Sequence, residues 1–199
     1  NVKHFEAGSS NDKAALVAIA AYQQVERLKC SFECLQRASE SQALRKSVTD
    51  IDCSDLTRWE QETKLSAAFA QFSNLTAITF RSPLLRRLPD VLKPLSLRTL
   101  RVELEQMEEE DGKGFAAAQA TLNTLELFYP EHCHDFSARA ASTELVAAVG
   151  QLTNLNTLRL PTFTVRLRQG EDAQQALAPL GNLTNLTVLD ASRVGIGRY

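Results

Sequence analysis

The chain, 199 residues long, carries few of the groups with which proteins do chemistry. Histidine occurs three times, and the Cys–His spacing of a closed zinc site is missing. No glycine-rich phosphate loop, Gly-Xaa-Ser-Xaa-Gly elbow or His-Glu-Xaa-Xaa-His motif is present, so the usual signatures of nucleotide binding, serine hydrolysis and zinc proteolysis are absent. Neither sign of charge is in excess: 22 basic residues stand against 24 acidic ones. That balance argues against nucleic acid or an anionic membrane as partner, since both need a concentrated basic surface. Long apolar runs are lacking too. The longest nearly unbroken one, Ala14 to Tyr22, is far short of the ~20 residues that cross a bilayer. No cofactor or metal is implied, and no signal peptide is visible, although a start at Asn1 rather than Met leaves room for a removed leader or preceding region.

What the chain does have is internal repetition. The stretch Gly150-Gln151-Leu152-Thr153-Asn154-Leu155-Asn156-Thr157-Leu158-Arg159-Leu160 returns 31 residues later (181 − 150) as Gly181-Asn182-Leu183-Thr184-Asn185-Leu186-Thr187-Val188-Leu189-Asp190-Ala191. An earlier version reads Gln71-Phe72-Ser73-Asn74-Leu75-Thr76-Ala77-Ile78-Thr79-Phe80. Apolar residues keep the same places in each copy, and such a repeat sets the architecture before any other feature is weighed. The pattern resembles the leucine-rich-repeat superfamily. That resemblance implies an α/β solenoid, or horseshoe, with a parallel concave sheet, outer helices and a capped N-terminal end.

Strand centres fall at 51, 78, 100, 125, 158 and 189, giving steps of 27, 22, 25, 33 and 31 residues, about six irregular repeats over 47–199. Residues 1–46 are expected to form a helical N-terminal cap. Val17, Ala21, Val25, Leu28, Phe32 and Leu35 fall on one face of a helix from about Asp12 to Ala38, and a solenoid must cover the core exposed at its end. A short helix near Gln42–Arg45, a first strand over Ser47–Cys53 and helices through Trp59–Phe72, Phe115–Ala120, Ser142–Val149 and Asp172–Leu180 complete the pattern. Gly150 is expected to end its helix in a left-handed conformation. Phe163, Val165 and Leu167 alternate with polar residues, as an extended insertion with one buried face would. No closing cap is evident after the last strand, which suggests that the array continues or has a minimal cap.

Alternation along a strand sends the residues between inward leucines to the opposite side. The expected middle outward row is Asp52, Thr79, Arg101, Glu126, Arg159 and Asp190. One flanking row is Ser54, Arg81, Glu103, Phe128, Pro161 and Ser192, and the other is Asp50, Ala77, Thr99, Thr124, Thr157 and Val188. Charges of both signs with an aromatic suit protein recognition, so Asp52, Thr79, Arg81, Arg101, Glu103, Glu126, Phe128, Arg159 and Asp190 are the candidate partner-binding residues. Six strands give a face on the order of 550 Å², below the ~800 Å² per partner of a standard interface. Many leucine-rich repeats place Asn or Cys just after the strand to bond the turns into a ladder. Here those places hold Leu56, Pro83, Glu105, Pro130, Phe163 and Val194, so irregular turns are expected.

The four cysteines, Cys30, Cys34, Cys53 and Cys133, do not resemble the disulfide-bonded caps of secreted family members. Buried free thiols fit better and favour a reducing, cytoplasmic setting. Sequons at Asn74, Asn182 and Asn185 arise from the repeat's own Asn-Leu-Thr pattern. Leu-Pro-Asp and Leu-Arg-Xaa-Leu fragments and the helical cap resemble leucine-rich-repeat effectors that bacteria deliver into host cells. Cys133-His134-Asp135 matches the Cys-Xaa-Asp motif of ubiquitin ligases attached to some of them, although here it lies between repeats. An arginine strip of Arg81, Arg86, Arg87, Arg98 and Arg101 is blunted by Glu103 and Glu126, and the acidic run from Glu103 to Asp111 reads as solvated surface. The sequence thus points to a non-catalytic module that binds a protein on its concave face, as the targeting region of a larger effector. An enzyme using Cys133 and a purely structural array are the alternatives.

Overall fold

The computed structural model describes residues 3–6, 25–53, 62–82, 91–104, 121–129, 140–141, 143–161, 164–167, 170, 172–192 and 195–197. Their strands are β1 (His4–Glu6), β2 (Arg27–Lys29), β3 (Asp50–Cys53), β4 (Ala77–Ser82), β5 (Thr99–Leu104), β6 (Thr124–Phe128), β7 (Ala140–Ala141), β8 (Thr157–Arg159), β9 (Thr164–Arg166), β10 (Val188–Asp190) and β11 (Gly195–Gly197). Helices α1 (Phe32–Ala38), α2 (Gln42–Ser47), α3 (Glu62–Phe69), α4 (Thr143–Gly150) and α5 (Ala173–Leu177) lie between them, and a 3₁₀ turn (Ala178–Asn182) follows α5. The main sheet is parallel and runs β1-β2-β3-β4-β5-β6-β8-β10, each strand beside the next in the chain apart from the short β7 and β9. Those two join β11 in a second parallel sheet ordered β11-β9-β7.

The hexapeptide apolar-x-x-Leu-x-apolar builds each step of this array. Leu97, Leu100 and Val102 point inward from one repeat, Leu122, Leu125 and Leu127 from the next, and all six are fully buried. They join Leu35, Leu65, Phe69, Leu145 and Val149 from the helices in one apolar cluster. A parallel sheet normally needs cover on both faces, but strict alternation lets this one stay polar on its second face. β5 alternates half-buried and buried residues without a break. The arrangement is an α/β array in which successive strands of one parallel sheet come from successive repeats and each repeat covers its neighbour.

Backbone geometry repeats with the same regularity. Two residues before each central inward side chain, the carbonyls of Lys3, Glu26, Thr49, Thr76, Arg98, Asn123 and Asn156 each accept two N–H groups from the following repeat, at 2.8–3.1 Å. Side chains reinforce the series: Asn74, Asn123, Asn156 and Asn185 donate Nδ2 to carbonyls of adjacent repeats at 2.7–3.1 Å. Asn74 and Asn185, read as sequons, thus have a structural role. This ladder precedes the strands. The six post-strand positions expected to lack one, 56, 83, 105, 130, 163 and 194, all lie outside the described residues.

Several expectations are corrected. A continuous helix over 12–38 does not form, because Arg27–Lys29 is a strand in register with Asp50–Asp52, and Phe5 follows in register with Leu28. The main sheet therefore has eight strands rather than six and extends into the 1–46 region assigned to a helical cap; α1 and α2 are the helices described there, and 7–24 lies outside the described residues. Val25 and Leu28, three apart, satisfy a helical face and the first half of the strand hexapeptide equally. Only Cys30, the third inward residue, separates the two readings. The first strand of the expected array also starts later, at Asp50, because Ser47 ends α2.

Gly150 supplies a further correction. Its φ is not positive, for Gly170 is the one described residue with that conformation. It is buried in α4, where an added β-carbon would lie 2.7 Å from the Pro179 carbonyl carbon. Glycine here permits close packing of α4 on the 3₁₀ turn. The predicted extended segment around Val165 is β9, with Val165 buried in the second sheet, and Phe163 lies outside the described residues.

Candidate functional site

The open face of the main sheet gathers the candidate residues as strand register requires. Asp52, Thr79, Arg101, Glu126, Arg159 and Asp190 form one cross-strand row, extended by Lys29 and Glu6. Arg81, Glu103 and Phe128 form a second row. Asp50, Ala77, Thr99, Thr124, Thr157 and Val188 form the third, extended by Arg27 and His4. The sequence reading missed His4, Glu6, Arg27 and Lys29. The signal that could have found them is Val25-Glu26-Arg27-Leu28-Lys29-Cys30, which stands 23 residues (48 − 25) before Val48-Thr49-Asp50-Ile51-Asp52-Cys53. Eight strands span roughly 34 Å at about 4.8 Å per step, which raises the face to on the order of 800 Å² at the same height. That reaches one partner's share of a standard interface.

Charge on this face is arranged in neighbouring pairs. Lys29 Nζ reaches Glu6 Oε1 at 2.6 Å, and Arg27 lies 3.6 Å from Asp50 and 3.5 Å from Asp52. Arg81 pairs with Glu103 at 3.0 Å and Arg101 with Glu126 at 3.4 Å. Arg81 and Arg101 of the arginine strip are thus answered by carboxylates from adjacent strands, while Arg86 and Arg87 lie outside the described residues. Such half-exposed pairs contribute little stability, but they set each of these charges against an opposite one on a neighbouring strand. Arg159 differs. It is exposed and makes no ion pair among the described residues, while Asp190 beside it accepts the Ser192 N–H at 3.2 Å.

Two groups near the N-terminal end have shifted acidities. Burial pushes the Asp50 carboxyl above its ordinary value against the pull of Arg27 and Arg101, with Asp52 adding to the rise and His4 opposing it. Its Oδ1 is buried without a hydrogen-bond partner among the described residues. The Cys30 thiol is drawn down by Cys34, but Cys53, burial and the charge of Asp52 together hold it well above a normal thiol. Cys30, Cys34 and Cys53 are buried thiols in no disulfide, as the sequence suggested. A protonated interior thiol is a poor nucleophile.

Among the described residues, no group of three or more His, Cys, Asp or Glu could hold a metal ion, and no helix is long and apolar enough to cross a membrane. The Cys133-His134-Asp135 motif lies outside the described residues, as does the acidic run beyond Leu104.

No family model and no curated protein matches the chain. Among solved structures it is similar to a crystal structure of an internalin, InlF, from Listeria monocytogenes, at 17% identity and a TM-score of 0.47. The likeness covers 86% of this chain and 49% of that one, so the chain spans about half the length of that protein.

Proposed function

We propose that the chain is a non-catalytic protein-binding repeat module whose open, concave sheet face receives the partner. The observation that carries the reading is the in-register row from Asp52 to Asp190, in which polar residues project from a rigid sheet while every other position is committed to the core. Rigid elements hold a contact constellation at low entropic cost. Arg159 and Phe128 are the anchors, because arginine and aromatic side chains dominate interface energetics and Arg159 makes no ion pair among the described residues. The Arg101–Glu126 and Arg81–Glu103 pairs, with Asp52, Thr79 and Asp190, set polarity around them. The Leu-Pro-Asp and Leu-Arg-Xaa-Leu fragments support a finer reading, in which the module targets a larger secreted protein to its partner inside a host cell.

Capture of a partner on the immobilised chain tests the face. Arg159→Glu combined with Phe128→Ala is expected to weaken the captured complex at least tenfold, on the order of 1.4 kcal/mol or more, with an unchanged circular-dichroism spectrum. Undiminished capture by this folded double variant would exclude the face.

A further inference from the structure

The described cysteines meet at one place. Cys30 follows β2, Cys34 lies in the first turn of α1 and Cys53 ends β3, yet the Cys30 sulfur is hydrogen-bonded to both of the others. All three are buried, and no disulfide joins them. Strand register accounts for one of the two contacts. Cys30 stands one step past the Lys29–Asp52 register pair, opposite Cys53, and its N–H donates to the Asp52 carbonyl at 2.9 Å. The same inward position holds Val102, Leu127 and Leu160 farther along the array, so two adjoining repeats place thiols where later ones place branched aliphatic groups. Neighbouring parallel strands lie about 4.8 Å apart, inside the span of roughly 4.4–6.8 Å between α-carbons that a disulfide bridges. Cys34 belongs to a helix and not to that row.

We infer that Cys30 and Cys53 form a redox pair, which a low-molecular-weight disulfide such as oxidised glutathione converts into a covalent bridge between β2 and β3. A thiolate of the pair attacks the glutathione disulfide, whose S–S bond breaks and releases one glutathione thiol. The second cysteine then displaces the other glutathione from the mixed disulfide. Two cysteine thiols are thereby oxidised to one S–S bond, while one glutathione disulfide is reduced to two thiols that carry off the two protons. Burial makes each step depend on local opening of the strand pair. The same surroundings hold the Cys30 thiol well above its ordinary range, so it is slow to attack and, once bridged, slow to leave. Cys34 remains a thiol. In a reducing compartment, a disulfide of this kind acts as a redox sensor. On their outer side β2 and β3 carry Arg27, Lys29, Asp50 and Asp52, so the bridge fixes the two strands that shape the N-terminal end of the polar face.

The 199-residue chain carrying Cys133→Ser keeps three cysteines (4 − 1) and serves as the test protein. After prolonged equilibration with oxidised glutathione and alkylation in denaturant, its intact mass is expected to show one alkylated thiol (3 − 2), against three in the untreated chain. Cleavage after Lys29, Glu33, Arg37, Lys46 and Arg58 puts the three cysteines on separate peptides, and the bridge is expected to link Cys30 to Cys53. The oxidised chain should melt several degrees higher, and dithiothreitol should reverse the shift. Cys53→Ala is expected to abolish both the bridge and the shift, and Cys34→Ala to keep both. Three unmodified thiols after equilibration, a glutathione adduct without a bridge, or a bridge that starts from Cys34 would each overturn the inference.

Discussion

Asp50 illustrates how a residue on the polar face can still work against folding. Its carboxylate faces Arg27, Arg101, Asp52 and His4, and desolvation outweighs the attraction of the cations. Because the folded-state pKa lies above the unfolded one, the folded chain holds more protons across that window. Stability from this group is complete below the ordinary carboxylate range and falls as pH rises through the elevated value. Asp50→Asn removes this dependence while Asp52 keeps a contact with Arg27. Urea unfolding across the acidic to neutral range should therefore show the variant gaining on the parent chain as pH rises; a constant difference would contradict the burial argument.

At the scale of elements, α4 and the 3₁₀ turn show two glycines of similar sequence context with different tasks. Gly150 and Gly181 both precede a leucine-rich strand, and both look like helix stops. In the structure Gly150 packs against Pro179, whereas a side chain at Gly181 would meet nothing within 4 Å. Gly150→Ala is expected to cost about 1–3 kcal/mol through overpacking, and Gly181→Ala to be near neutral, both measured by denaturant midpoints. The same contrast limits what pattern reading can resolve. Leu75-Thr76-Ala77-Ile78 and Val25-Glu26-Arg27-Leu28 have the same apolar spacing, but the second follows an apolar series that also fits a helix, so β2 was hidden until its pairing with β3 was seen.

Over the whole molecule, each repeat owes its stability to the neighbours on both sides, which makes the array close to one-dimensional. Position along it should then govern the cost of equivalent changes. Leu100→Ala in the middle is expected to lose about 2–5 kcal/mol, and Leu189→Ala at the exposed end far less, although both residues occupy the same inward row. Urea unfolding of the two variants checks this; similar losses would mean that the end repeat is already covered. The paired charges of the open face belong to this scale as well, since each ion pair joins strands 22 or more residues apart in the chain.

The sequence by itself determined the periodic apolar hexapeptide and, as an alternation, the outward residues from Asp50 to Asp190, because these follow from local spacing that a strand of period two must obey. Tertiary structure decided how many strands join the sheet, that Arg27 meets Asp50 and Asp52 while Arg159 makes no ion pair among the described residues, that Gly150 serves a contact rather than a turn, and that Leu189 is left in solvent. Each of these depends on which residue lies across the gap between two repeats. That distance is set by register and stacking, and spacing along a single repeat carries no record of it.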